Sequence, residues 1–210
     1  RPVVDTPGRA RTRGHTAAAG TVGVRPARAG DPRRRMISIR RVIPMVGVAA
    51  ASWLVMSLWD PVRHTHLTDI PVYRDVAAAI AAGQLPYRDF DVEYPPLAAA
   101  LKYVARLIPT AYATGFSLVM FVALATTLLG TMATAAALRL SPRRQTAAGL
   151  IVATTPLLLG DLVATRFDLA LTALLAWTLW AAVTDRFAAM WLLLAAAIAL
   201  KLVPVALIPV

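Results

Sequence analysis

Long apolar runs, separated by short polar segments, are the feature that most constrains this chain. Five of them cover residues 42–59, 112–138, 146–163, 167–184 and 187–208. A helix needs about 20 apolar residues to cross the hydrocarbon core of a bilayer. The hydrophobic fraction is 58%, against roughly 45–50% in soluble domains. The sequence therefore predicts an all-α fold, a polytopic transmembrane helical bundle with about five spans.

The net charge of +11 is concentrated in the N-terminal segment. Residues 1–41 contain eleven arginines against Asp5 and Asp31, a balance of +9, and the rest of the chain carries +2. This composition is typical of a disordered cytoplasmic tail that sets membrane orientation. No nucleic-acid partner is expected, because no stacking aromatics interleave with the arginines. Met36 offers a natural start, which makes residues 1–35 a candidate non-native extension.

The segment 42–210 is interpreted as one transmembrane domain. Its first run is too long for a signal peptide and is expected to remain as an anchor. Its last run reaches Val210 without a polar flank or a helix stop, which predicts a domain truncated at its C-terminus. The absence of cysteine excludes disulfides and thiolate sites.

Residues 60–111 form a large polar interruption between the first two runs. Six acids against three arginines lie in residues 60–93. The alanine-rich piece Val76–Ala82, followed by Gly83, predicts a helix that stops at the glycine. The next stretch, "QLPYRDFDVEYPP", is expected to be extended, because a residue before proline is disfavoured in the helical region.

The segment 94–109 predicts a short amphipathic helix. Its apolar residues recur at helical spacing, and Lys102 and Arg106 lie off that stripe. We expect this helix to lie in the membrane interface with both basic side chains reaching water. The positive-inside rule supports this arrangement, because a spanning helix here would move the cluster Arg139–Arg144 to the outer side. The loop 60–93 is then extracytoplasmic and the N-terminus cytoplasmic.

Asp69 is the strongest candidate for a reactive group. It follows the first span by about ten residues and is followed at once by the apolar "IPVY". A partly desolvated carboxylate at a membrane surface is suited to act as a general base.

A set of motifs in fixed order resembles glycosyltransferase family 87, the polyprenol-phosphate-mannose-dependent mannosyltransferases of the GT-C superfamily. The motifs are "TDIPVYRDVAAAIAAGQLPY", then "VEYPPLAA", "RFDLALTALLAW" and "LKLVPVALIPV". The resemblance covers residues 42–210. It implies a cytoplasmic N-terminus, interfacial helices at about 71–82 and 95–108, and a catalytic aspartate that maps onto Asp69. The five spans seen here are about half of the family's number.

The resemblance implies transfer of a hexose, expected to be mannose, from a polyprenyl-phosphate donor to a glycolipid or glycan acceptor at the outer face of the plasma membrane. Asp69 would take the acceptor proton, and cations would stabilise the leaving phosphate. No metal or cofactor is expected, and membrane lipids are the other partners. The expected substrate-binding residues are Tyr73, Arg74, Tyr87, Arg88, Glu93, Tyr94, Arg166, Asp168 and Lys201.

Several alternatives remain open from the residues alone. Lys201 could snorkel to the interface, contact a phosphate or pair with Asp168. Asp168 could simply complement the dipole of the helix that it begins. His64 and His66 form a weak candidate metal pair. The rival functions are a transporter or flippase, which would need internal repeats and several intramembrane charges, and a non-catalytic membrane protein.

Overall fold

The structure, a computed structural model, describes residues 39–58 and 68–208. These residues are mainly helical, and no β-strand occurs among them. The predicted all-α class is confirmed for the described part of the chain. The α-helices are α1 Ile39–Leu58, α2 Ile70–Ala81, α3 Pro96–Arg106, α4 Tyr112–Ala137, α5 Pro142–Ala153, α6 Thr155–Leu159, α7 Leu162–Thr165, α8 Asp168–Val183 and α9 Phe187–Leu200, followed by a 3₁₀ turn at Val203–Leu207.

Two helices, α1 and α4, are long and apolar enough to cross a membrane, with 20 and 26 residues. They correspond to the first two predicted runs. Helix α8 coincides with the fourth run but has 16 residues, and α9 has 14. At 1.5 Å per residue these two helices are about 24 and 21 Å long, shorter than a hydrocarbon core of about 30 Å.

The prediction that the third run forms one continuous spanning helix was wrong. The chain forms α5, breaks at Thr154, forms the short α6 and turns at Gly160, whose φ is +60°. Pro156 explains the break, because proline has no N–H to donate and clashes with the preceding turn. Gly160 then adopts a left-handed conformation that other residues rarely accept.

The predicted length of the fifth spanning helix was also wrong. Helix α9 ends at Leu200, and Lys201 takes an extended conformation before the 3₁₀ turn around Pro204. The proline favours this ending, since it cannot continue the hydrogen-bond ladder of the helix. Lys201 therefore lies at a helix end and not within a continuous helix.

Helix α4 is the centre of the bundle and packs against α1, α3, α5 and α8. Gly130 allows α8 to approach closely, because a Cβ there would lie 3.0 Å from the Cβ of Ala176. Trp177 of α8 donates from Nε1 to the Thr126 carbonyl of α4 at 3.1 Å. The buried Thr127 and Thr134 donate to carbonyls one turn back on their own helix, so their hydroxyls are satisfied.

The polar interruption is structured, as predicted, but differs in detail. Helix α2 begins at Ile70, six residues before the predicted start, and Gly83 (φ +83°) follows its end as expected. Residues 85–90 form a tight turn and not an extended stretch. The Asp89 carboxylate accepts from the Leu85 N–H at 2.7 Å, and Tyr87 has a φ of +64°. This side-chain cap stabilises the turn locally.

Candidate functional site

Asp69 lies just before α2 with its carboxylate held by two partners. Its Oδ2 accepts from the Tyr73 hydroxyl at 3.1 Å, one helical turn along α2. Its Oδ1 lies 3.7 Å from Nη2 of Arg166, which comes from the turn between α7 and α8. The side chain of Asp69 is 30% exposed. The carboxylate is therefore oriented by the protein and still open to a reactant.

Tyr73 is buried between aromatic rings. Its ring centroid lies 5.3 Å from that of Phe116 on α4 and 5.6 Å from that of Phe167. Burial, followed by the charge of Asp69 and the hydrogen bond to it, raises the pKa of the Tyr73 hydroxyl. The hydroxyl therefore stays protonated and remains a hydrogen-bond donor to Asp69 over the physiological range.

Lys102 on α3 is the most unusual residue of this region, because its side chain is only 1% exposed. The ammonium lies 4.7 Å from the ring centroid of Tyr73, 4.6 Å from that of Tyr94 and 6.0 Å from that of Phe167. Such distances allow cation–π attraction. We call Tyr73, Tyr94, Lys102 and Phe167 the lysine cage.

The expectation that Lys102 reaches water was wrong. Helix α3 buries the face that carries Ala98, Ala99, Lys102 and Ala105, while Arg106 is exposed as predicted. The small alanines let α3 pack closely, and Lys102 is carried inward with them. Burial lowers the pKa of Lys102, and the negative charges of Glu93 and Asp69 partly oppose that effect. The lysine cage thus places a desolvated cation within the electrostatic reach of Asp69.

A second cation, Lys201, also lies near the ring of Phe167. Lys201 Nζ lies 5.7 Å from the Phe167 ring centroid and 2.5 Å from Oδ1 of Asp168. The ion pair considered from the sequence is therefore present. It joins the end of α9 to the beginning of α8, and both side chains remain partly exposed.

The remaining predicted binding residues are placed differently. Arg74 pairs with Asp75 and Arg88 pairs with Asp89, each with its neighbour in sequence and each exposed. The hydrogen bond that Arg88 donates to Asp89 raises the pKa of Arg88 and lowers the pKa of the Asp89 carboxyl. Tyr87 donates its hydroxyl to the Tyr94 carbonyl at 2.5 Å. Glu93 is exposed and reaches the site through its charge on Lys102.

Two cavities adjoin the Asp69–Arg166 pair. The first, about 320 Å³, lies among α4, α5, α6 and α8 and is mainly apolar, with Arg166 and Asp168 in its wall. The second, about 460 Å³, is lined from α1, α2, α4 and the segment around α7. Ile70, next to Asp69, and Thr165, next to Arg166, both line the second cavity. Arg166 therefore lines the first cavity, and the second cavity is lined by the residues that adjoin Asp69 and Arg166 in the chain.

Metal ligation finds no support in the part of the chain that the structure describes, where no three histidine or carboxylate side chains are grouped to hold an ion. The histidine pair His64 and His66 lies outside the described residues, as do Asp60, Arg63 and the N-terminal segment 1–38.

The comparisons with known proteins found no match: no protein-family model, curated protein or solved structure is similar to this chain. The resemblance to glycosyltransferase family 87 therefore stays a prediction from the order and spacing of the motifs.

Sequence reasoning missed two members of the lysine cage, Lys102 and Phe167. A signal for Lys102 was present, since Ala98, Lys102 and Ala105 recur at i, i+4 and i+7. A stripe of small residues indicates close helix packing, and a lysine within such a stripe is carried into the interface. Phe167 belongs to one of the motifs, but nothing in the sequence indicated that both lysines of the chain would lie near its ring.

Proposed function

We propose that this chain is a membrane glycosyltransferase that moves a hexose, mannose in the first instance, from a polyprenyl-phosphate donor to a hydroxyl of a glycolipid or glycan. The observation that carries the proposal is the arrangement at Asp69. A partly exposed carboxylate is held by Tyr73 and Arg166 beside the buried ammonium of Lys102. A single oriented base with cations around it suits direct displacement of a phosphate from a sugar.

The step balances with one base and one leaving group. Asp69 takes the proton of the acceptor hydroxyl, whose oxygen attacks the anomeric carbon of the donor sugar. The bond between that carbon and the phosphate oxygen breaks, and the lipid phosphate leaves with the electron pair. A positioned general base of this kind contributes about 10²–10⁴-fold in rate.

Arg166 is the cation best placed for the leaving phosphate. It lies at Asp69 and also lines the apolar cavity of about 320 Å³. A phosphate seated on the guanidinium would gain bidentate, charge-assisted hydrogen bonds, while the lipid chain occupied the apolar wall. Lys201, near the same turn, is the second cation for this role, whereas Arg74 and Arg88 serve their own neighbours.

The proposal includes a membrane arrangement of the same helices. Helices α1 and α4 cross the plasma membrane with the N-terminus cytoplasmic, and α2 and α3 lie at the outer interface. Leu97 and Val104 of α3 remain exposed beside the buried alanine face, which suits contact with lipid. The shorter α8 and α9 complete a multi-pass bundle by packing on α4 and on each other.

The test uses the complete gene product in membranes, supplied with radiolabelled polyprenyl-phosphate mannose. Wild type is expected to move label into a glycolipid or glycan, and Asp69→Asn is expected to lose at least about 10²-fold of that activity. Asp89→Asn is the matched control, because its carboxylate accepts from the Leu85 N–H within an exposed turn, and it should transfer label like wild type.

Either of two results contradicts the proposal. Full activity in Asp69→Asn would remove Asp69 as the base. Failure of wild type with mannose and with other lipid-linked hexoses, in an assay where a known mannosyltransferase works, would remove the reaction itself.

A further inference from the structure

The second cavity beside Asp69 differs from the apolar one in the groups that line it. Four hydroxyl side chains and one carboxylate contribute to its wall, together with apolar residues. They come from the end of α1, the beginning of α4 and the segment around α7, as Ser57, Thr114, Ser117, Asp161 and Thr165.

Asp161 is the most informative of these residues. Its Oδ1 is buried and has no hydrogen-bond partner. A buried carboxylate oxygen without a donor carries a desolvation penalty, and such groups in a folded protein call for a functional explanation. The Thr165 hydroxyl donates to the backbone carbonyl of Asp161 at 2.9 Å and not to the side chain, so this neighbour leaves Oδ1 without a donor.

The chemistry of the wall selects a neutral ligand rich in hydroxyl groups. A carboxylate accepts hydrogen bonds from O–H donors, and serine and threonine hydroxyls both donate and accept. An anionic ligand would be repelled by Asp161. An apolar ligand would leave Oδ1 of Asp161 without a donor. A volume of about 460 Å³ falls within the range of small-molecule sites, about 300–1,000 Å³.

We propose that the cavity around Asp161 binds a neutral polyhydroxyl group, the sugar or polyol part of the acceptor, and presents one of its hydroxyls to Asp69. The proposal rests on the proposed transfer for its role, but not for the binding itself. Ile70, which lines the cavity, directly follows Asp69 in the chain, and this adjacency connects the cavity to the base. The donor would approach from the Arg166 side, and the two substrates would meet at the Asp69–Arg166 pair.

The test measures binding, so it needs no transfer. The probe is methyl α-D-mannopyranoside, titrated against the complete, detergent-purified protein by saturation-transfer difference NMR. Asp161→Ala is expected to raise the Kd at least about tenfold, since a hydrogen bond to a charged group is worth about 1.5–3 kcal/mol. Ser117→Ala should raise it by a smaller factor. The apparent melting temperature of Asp161→Ala should fall little, because Oδ1 of Asp161 has no protein donor.

Asp185→Asn is the matched control, because this exposed acid lies in the turn between α8 and α9 and is not part of the cavity wall. It should bind the probe like wild type. Two further probes test the selectivity: methyl α-D-glucuronide, which is anionic, and cyclohexanol, which has one hydroxyl, should both bind more weakly than the mannoside.

The outcomes separate this proposal from the proposed reaction. Mannoside binding that is equal in wild type and Asp161→Ala, or no stronger than cyclohexanol binding, would overturn the site. Binding that depends on Asp161 in a protein that transfers no sugar would support the binding site and contradict the proposed reaction. Sugar transfer with an acceptor KM that is unchanged in Asp161→Ala would support the proposed reaction and contradict the binding site.

Discussion

The turn at 85–90 and the lysine cage contain the same kinds of side chain in opposite settings. In the turn, Arg88 and Asp89 are neighbours in sequence, exposed to solvent and paired with each other. In the cage, Lys102 meets the rings of Tyr73 and Phe167, which are 29 residues before it and 65 after it in the sequence, and the ammonium is shielded from water. Exposed pairs contribute little to stability and are screened by salt. Buried groups have shifted pKa values and fixed orientations, which are the properties expected of a site.

The largest effect is expected from Lys102→Ala, which empties the centre of the cage. The loss of the side chain and of its ring contacts should lower stability by about 2–5 kcal/mol, as for other large-to-small changes in a packed core. Arg106→Ala, one turn along the same helix but exposed, is the control and should change stability by less than about 0.5 kcal/mol. Chemical denaturation in detergent gives both values. Equal effects of the two variants would break the contrast between cage and surface.

Lys102→Met adds a pH test of the same residue, since it keeps much of the stem and removes the charge. Burial lowers the pKa of folded Lys102, whereas the unfolded chain holds the proton up to the ordinary value of 10.5. Between these pKa values the unfolded state binds more protons, so this group makes the protein more stable as pH rises. Wild type should therefore gain melting temperature relative to Lys102→Met as pH approaches 10.5. A constant difference would show that the lysine is not desolvated.

An intermediate effect is expected from Gly115→Ala, which tests how the cage is fixed to the bundle. A Cβ at Gly115 of α4 would lie 2.5 Å from the Ala105 carbonyl oxygen of α3. Since that atom is backbone, α3 must shift, and we expect a loss of about 1–3 kcal/mol. Gly47→Ala on α1 is the control, because its Cβ would have open space, and it should be neutral or slightly stabilising. The melting temperatures of the two variants test this expectation. A loss of stability in Gly47→Ala as large as in Gly115→Ala would contradict the close approach of α3 to α4 as the cause.

The smallest effect is expected from Arg88→Gln in the turn. Its side chain is exposed and its partner Asp89 keeps the hydrogen bond from the Leu85 N–H. The melting temperature and the label transferred from polyprenyl-phosphate mannose should both match wild type. A loss of transfer comparable to that of Asp69→Asn would place Arg88 in the site and remove the distinction between the two regions.

Patterns that depend on neighbours in sequence were predicted well. The first two apolar runs became α1 and α4, the fourth became α8, and Gly83 follows the end of α2 with the positive φ that a glycine stop uses. The failures came where a local proline or glycine signal overruled the helix that an apolar run predicted. Pro156 and Gly160 break the third run, and Pro204 follows the early end of α9, because hydropathy measures composition and not the continuity of hydrogen bonds.

The candidate site was predicted in part. Six residues named from the sequence lie at or beside the lysine cage in the structure: Asp69, Tyr73, Tyr94, Arg166, Asp168 and Lys201. Arg74, Tyr87 and Arg88 were named with them but are engaged in local contacts. Lys102 was assigned to water, because a helical stripe shows which residues share a face and not which face the rest of the protein covers.

The sequence by itself determined that this chain forms apolar helices around one acidic and aromatic interruption, since burial of apolar surface and backbone hydrogen bonding follow from composition and periodicity. The tertiary structure alone decided that Asp69 meets Arg166, that Lys201 meets Asp168, and that Lys102 lies among aromatic rings. Tyr94 lies 8 residues before Lys102, and the other partners are between 29 and 97 residues apart in the chain. Charges at such separations come together only when packing of the helices fixes their relative positions.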